Sequence, residues 1–522
     1  MTPDIVIRNG LIVDGLGGEP VRADIAVCGD RIDSIGPVRA RGVVDIDAGG
    51  LIVAPGFIDI HSHSDYTLLV DPRAESAIHQ GVTLEVLGNC GHGCFPLYNK
   101  QLARRAIYGI SDDLELTWER AGEYFDRLDE AQPAVNVLSL VPNGQLRMSA
   151  LGLQARPADP SELREMCRNL EEAMEAGAFG LSTGLEYAAE AGASREEVVE
   201  LCTIVRRRGG LYATHTRFRD GGSVGAVQEA LETARATDVK LQISHLLPRG
   251  GRKDCEHCVD LVDAAVRAGQ DVAFDMHTRL FGLTFLHAML PPWLNEDRPD
   301  ELRKLLQQRD VRDRILQYKS IVTASGNWQR LVLLDNTVFP EYARLSFEEI
   351  AARRAQSPGE AALDLLAGSL EAQRPPMVIA RIYDGDDQQL AFSNGRCVPG
   401  SDATTLCTTG PLAKSQFHGA YSWAAFFYRF AVRERGFFSV AEAVRRLTAM
   451  PAQILGIGDR GVLRPGHCAD VAIFDPDKFG ETASTFEPNQ LALGMRHVIV
   501  NGRLTLLDGK LTGTRAGSVI RR

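Results

Sequence analysis

The stretch APGFIDIHSHSD, residues 54–65, ends an apolar run with His61 and His63, two positions apart. Side chains two apart in a strand point to the same side, so an H-x-H at a strand end aims both imidazoles at one point, as metal ligands require. Four more residues of ligating type follow: Cys90 in VLGNCGHG, His215 in YATHTR, His245 in QISHLL and Asp402 in PGSDA. Each closes a separate apolar run. A single histidine near a strand end is ordinarily bonded to a neighbouring loop, but six such residues on five runs point to a shared metal. Zinc accepts thiolate, imidazole and carboxylate together, and a catalytic site keeps a position for water, whose pKa falls to about 7. The chemistry expected is hydrolysis.

The elements that must position these groups are eight apolar runs: FIDIHSH, LEVLGNC, VNVLSLVPN, FGLSTGLEY, LYATHTR, LQISHLL, VAFDMH and CVPGSDA. Helical stretches separate them. DPSELREMCRNLEEAMEAGA places Asp159 and Pro160 for a helix start and repeats Leu163, Met166, Leu170 and Met174 at helical spacing. SREEVVELCTIVRRRGG opens with Ser194 three residues before Glu197, a capping box, and closes on glycine. Eight strands alternating with helices predict an α/β fold, a (β/α)8 TIM barrel whose strand C-termini carry the active site. Polar strand-end positions fall at 61, 90, 143, 184, 215, 245, 275 and 402. The last gap is several times longer than one β/α unit, which predicts a lid insertion over 280–395, between strands seven and eight.

Both ends of the chain read as short strands: DIVIRNGLIVDG, ADIAVCGDRIDSIG and GVVDIDAGG at the start, ADVAIFD, HVIVNGRLTLLDG and GSVI at the far end. They predict a small composite β-sandwich from residues 1–54 plus 450–522, with the barrel over 55–449. The net charge of −11 favours solubility and argues against a broad nucleic-acid footprint. With no signal peptide and no run of about 18 apolar residues, the expected setting is cytoplasmic, without a membrane. Ten scattered cysteines are expected to be reduced thiols, and Cys255 and Cys258 read as ordinary helix residues despite their CxxC spacing. Cys94 is expected in a loop, His79 in a helix, and His92, His257, His287, His467 and His497 in structural or exposed places.

The segments APGFIDIHSHSD, GNCG, GLSTGLEY, ATHTR, ISHL and GSD, with the tail DRGVLRPGHCADVAIFD, resemble the amidohydrolase superfamily, specifically its N-acyl-D-amino-acid deacylase (D-aminoacylase) branch, over nearly the whole chain. The resemblance implies a metal-dependent barrel with a cysteine where many relatives use a carboxylated lysine. FGLSTGLEY contains no lysine, in agreement. It further implies that Cys90, His215 and His245 hold a tight zinc, while His61, His63 and Asp402 surround a weaker site and the water. In the mechanism so implied, zinc and a histidine, His63, polarise an amide carbonyl, and Asp402 accepts the water's proton and returns it to the leaving nitrogen. Glu186 and Tyr187 match positions near substrate, and read equally well as supports of the ligands.

Departures from that pattern bear on the substrate. Leu247 stands where the branch has a lysine, and GPLAKSQFHGAYSW stands where it has HPR; both are associated with gripping a substrate carboxylate. Pro142 and Asn143 replace Gly-His, and MHTRLF replaces YPY. Arg249, His277, Arg279, Lys414 and His418 are the available replacements, and Phe281, Phe417, Tyr421 and Trp423 either add aromatic surface to the same segments or pack the lid against the barrel. The expected function is hydrolysis of a C–N bond in a small-molecule amide, N-acyl-amino-acid-like by default. Its rivals are a cyclic-amide hydrolase and a non-enzymatic barrel that has lost its metal, whose signature would be missing ligands. None of the six is missing.

Overall fold

A computed structural model of the chain describes residues 2–106, 114–249, 251–291, 293–294, 299–318, 320, 322–323, 326–372 and 376–522. Val82–Leu87 and Val272–His277 are buried at every residue, as strands covered on both faces must be. They belong to a ring of parallel strands. Phe57–Asp59 pairs with Val82–Leu87, which pairs with Asn136–Ser139. After a break at Leu140 the third strand resumes as Val141–Pro142 beside Gly180–Gly184. Leu211–His215, Lys240–Ile243, Val272–His277 and Cys397–Gly400 follow in order. A bridge between Ser62 and Ala403 closes the eighth strand onto the first. Ile58, Leu84, Leu138, Phe179, Leu211 and Val398 share one apolar cluster with Met450 and Leu455. This is the expected TIM barrel.

The helices form where their signals stand. Asp159 accepts hydrogen bonds from the Ser161 and Glu162 amides at the head of Pro160–Glu175, whose Met166, Leu170 and Met174 are buried. Ser194 accepts from the Glu197 amide at the head of Arg195–Arg207, but the expected capping box is not completed, because the Glu197 carboxylate is drawn to buried Arg147 and the Ala158 amide. Cys255 and Cys258 are buried on the helix Arg252–Arg267, as core residues. No helix of the described residues is long and apolar enough to cross a membrane.

Both chain ends share one nine-stranded sheet, joined where Ile52–Pro55 runs antiparallel to Val471–Phe474. The sheet folds back on itself, so that Ile32 exchanges backbone bonds with Gly466 and His467. Ile7, Ile25, Val53, Val471, Ile473 and Ile499 fill the space enclosed. Beyond this sheet the chain returns to the barrel: the Val137 amide donates to Ser518, the Ile520 amide to Val137 and the Arg522 amide to Gly177. Residue 517 must be glycine, since a Cβ there would lie 1.9 Å from the Val135 carbonyl oxygen.

Between His277 and Cys397 lies the insertion. Its sheet places Met377–Arg381 between Phe281–Phe285 and Leu331–Leu333, all antiparallel. Leu302, Ile315, Leu333, Phe347, Leu363 and Val378 give it a core of its own. Tyr383, near its end, donates to the Leu247 carbonyl at 2.7 Å and so ties the insertion to the barrel mouth. Of the four aromatics that read either as site surface or as packing, Tyr421 and Trp423 pack: both are buried cluster residues, on the turn and the helix Trp423–Tyr428.

Candidate metal centre

Ser62, by pairing with Ala403, fixes the backbone between His61 and His63, and both imidazoles reach the same carboxylate oxygen. Asp402 Oδ1 lies 3.5 Å from His61 Nε2 and 3.3 Å from His63 Nε2. Cys90 sits on the turn Asn89–Gly91 that follows the second strand, its Sγ 3.2 Å from His61 Nε2 and 3.6 Å from His245 Nε2. His215 ends the fifth strand. Cys90, His245 and Asp402 all have left-handed backbones, at φ 53°, 35° and 44°. Such conformations are disfavoured for residues with a Cβ and persist where the surroundings fix them, often at functional sites.

The six side chains fall into two sets that share the thiol. Ligand atoms of His61, His63, Cys90 and Asp402 lie within 4.8 Å of one another, and so do those of Cys90, His215 and His245. All but Asp402 are buried. A thiol, imidazoles and a carboxylate packed this closely are a donor set that zinc fits. Burial opposes ionisation of Cys90, yet the His61 charge and hydrogen bonds from His215 and His245 hold its thiol well below the usual range. Burial likewise opposes ionisation of Asp402, but the Arg279 guanidinium and His63 hold its carboxyl low. Burial and the neighbouring Arg219 charge bring His245 down to about 4, which keeps it neutral, the form that ligates.

The supports behind these residues were less visible in the sequence. Asp275 Oδ1 lies 3.0 Å from His61 Nδ1 and accepts from the His245 amide at 2.8 Å, while Oδ2 accepts from Gln242. An acid inside the apolar run VAFDMH was the available signal. Arg219 donates to the carbonyls of His245 and Leu247 at 2.6 and 2.7 Å and to the Tyr383 hydroxyl. His92, expected in a structural or exposed place, is half-buried beside the centre, its ring 4.5 Å from that of Tyr187 and 6.4 Å from that of His63. Asn143 bonds Glu190, which also accepts from the Gly184 amide.

Of the residues expected near substrate, Tyr187 and Glu186 both touch His215: the Tyr187 hydroxyl at Nδ1, 3.2 Å, and Glu186 Oε2 at Nε2, 2.9 Å. The Arg249 side chain is turned inward, donating to Glu186 and forking onto Asp220 at 2.9 and 3.1 Å. His277 ends the seventh strand, buried, its ring 5.8 Å from that of Tyr383. Arg279 donates to Asp402. Lys414 is exposed, and His418 bonds the Thr485 carbonyl.

The sequence pattern of the amidohydrolase family matches residues 45–309 and 394–506, passing over most of the insertion. The chain is 31% identical to the D-aminoacylase of Alcaligenes xylosoxydans xylosoxydans, over 99% of this chain and 98% of that protein. It is 32% identical to the N-acyl-D-glutamate deacylase of the same organism, over 99% and 96%. The solved N-acyl-D-glutamate deacylase from Bordetella bronchiseptica, complexed with zinc and a phosphonate mimic of the tetrahedral intermediate, superposes with a TM-score of 0.80 at 28% identity, over the full length of both chains. Matched by its pattern over most of the length and by relatives from end to end, the chain belongs to the amidohydrolase family.

Proposed function

We propose that this protein is a zinc-dependent deacylase that hydrolyses the amide bond of an N-acyl amino acid or a closely similar small amide. As a member of its family it is a metal-dependent hydrolase. The observation that carries the reading is the pair of ligand sets joined at the Cys90 thiol. Cys90, His215 and His245 are proposed to hold the tight zinc, with His61, His63 and Asp402 around a second, weaker site. A zinc held by these residues would supply a Lewis acid for the scissile carbonyl and would lower the pKa of the attacking water toward neutrality. Asp402 takes up a proton at the oxygen facing His61 and His63 and hands it to the leaving nitrogen. His63 steadies that carboxylate and the carbonyl beside it. Glu186, Tyr187, Arg249 and His277 border the substrate, as does Arg279 through Asp402.

Ten free thiols support a reducing, cytoplasmic setting, and the net charge supports a small-molecule substrate rather than nucleic acid. The shared sheet supports a division into residues 55–449 and 1–54 with 450–522. The test is a screen of purified protein, with its zinc measured, against N-acyl-D-amino acids, their L-isomers and arylamides. Turnover of an N-acyl amino acid by zinc-containing protein is expected; activity that survives complete removal of transition metal would contradict the reading.

A further inference from the structure

We propose that Arg279 is a positioning residue for Asp402 and does not grip a substrate carboxylate. The inference rests on the reading of Asp402 as the proton carrier. Arg279 lies two residues beyond the seventh strand, at the mouth of the barrel where a replacement for the branch's lost cations would be sought. Its guanidinium is turned inward instead. Nη1 donates to the carbonyls of Ser401, Asp402 and His418 at 3.0, 2.8 and 2.7 Å, and Nη2 donates to Asp402 Oδ2 at 2.5 Å.

These bonds act on the backbone and the side chain of Asp402 together. At φ 44° the residue needs its peptide held, and the bond from Arg279 to its carbonyl, with that from its own amide to the His61 carbonyl, holds both ends. On the carboxylate, the guanidinium takes Oδ2 and leaves Oδ1 toward His61 and His63. One oxygen is anchored and the other is presented to the reaction. The loop after the eighth strand is shaped for this arrangement. A Cβ on residue 419 would stand 2.9 Å from Nη1, so glycine at that position makes room for the guanidinium, and its φ of 97° is one that glycine adopts readily. The Phe417 ring lies 5.8 Å from the guanidinium carbon.

Both Nη atoms are therefore engaged, so the end-on fork that these two nitrogens would offer a free carboxylate is already taken up by the protein. Arg249 is in the same position between Glu186 and Asp220. Substrates whose α-carboxylate is masked as an amide should thus be handled as well as the free acids.

The experiment compares the zinc-loaded wild type with Arg279→Ala and Arg279→Lys on an N-acetyl amino acid and its α-carboxamide, and follows hydrogen exchange by mass spectrometry. Positioning predicts that kcat falls at least tenfold, by the same factor for both substrates, with KM within about threefold. Free guanidinium should partly restore the alanine variant. Exchange should quicken over residues 400–405 and 417–422 and stay unchanged at 211–215. A KM increase of tenfold or more confined to the free acid, with kcat and exchange unaltered, overturns the proposal. If the alanine variant does not fold, the lysine variant keeps the charge, loses the fork and carries the same tests. Wild type that cleaves neither substrate contradicts the deacylase reading, whereas the exchange result needs no substrate and decides the clamp by itself.

Discussion

Asp275 and His61 share a 3.0 Å hydrogen bond between side chains that are 1% and 0% exposed. The same carboxylate accepts from the His245 backbone amide, so one residue orients the His61 ring and holds the backbone of His245 in the other ligand set. Partners of this kind fix the tautomer and direction of a ligating imidazole, and their loss typically weakens metal binding by about 10- to 100-fold. Asp275→Asn should therefore lower zinc affinity by that order, read by competition with a chromogenic chelator. Native affinity in the variant would leave Asp275 a structural acid.

Cys90 should account for most of the bound metal. Alanine suits the left-handed backbone at this position no worse than cysteine, so Cys90→Ala removes the thiol with little else. Zinc content measured by elemental analysis should fall to a small fraction of wild type, with loss of activity.

Asp402→Asn should separate binding from chemistry. The variant is expected to keep zinc on Cys90, His215 and His245 while kcat drops at least about 100-fold, the usual scale for losing a general acid–base. Turnover near that of wild type would remove Asp402 from the proton path.

Arg249 is expected to matter for stability. Arg249→Met leaves Glu186 and Asp220 facing each other without their shared cation; breaking a buried pair from one side costs about 3–5 kcal/mol, and the partial exposure of Glu186 puts this one at about 2–3 kcal/mol. Urea denaturation at neutral pH should show a loss of that order. Burial would raise the Glu186 carboxyl, but Arg249 and His215 bring it far below its ordinary 4.5. A carboxylate with a lowered folded pKa contributes its stability above the ordinary value and loses it as pH falls toward the folded one. The gap between wild type and variant should therefore narrow on acidification below about pH 4.5; a gap that widens there would exclude the ion pair as its cause.

Much of this was legible in the sequence because strand ends in a barrel are marked by the switch from apolar run to polar residue. His61, Cys90, His215, His245 and Asp402 stand at such switches, and the structure brings them together. The insertion showed as a gap too long for one helix. Contacts between loops left no such mark. Arg249 meets Asp220 across 29 positions and Arg279 meets His418 across 139, pairings that no local pattern encodes. For the same reason two arginines that read as free cations are internal ties. Tyr421 and Trp423 read equally as site surface or as packing, because aromatic residues look alike in sequence whether they face a ligand or a core.

The sheet shared by the two ends imposes a wait on synthesis. Ile52–Pro55, buried at all four residues, pairs with Val471–Phe474, and the third barrel strand meets Ser518 across 382 positions. At roughly 5–20 residues per second on the ribosome, the early strands emerge tens of seconds before their partners exist. Through that interval they present unpaired, apolar edges, the kind that join to the wrong neighbour. For the nascent chain, the earliest-made strands are the ones that most need shielding, and the barrel between them has time to form first.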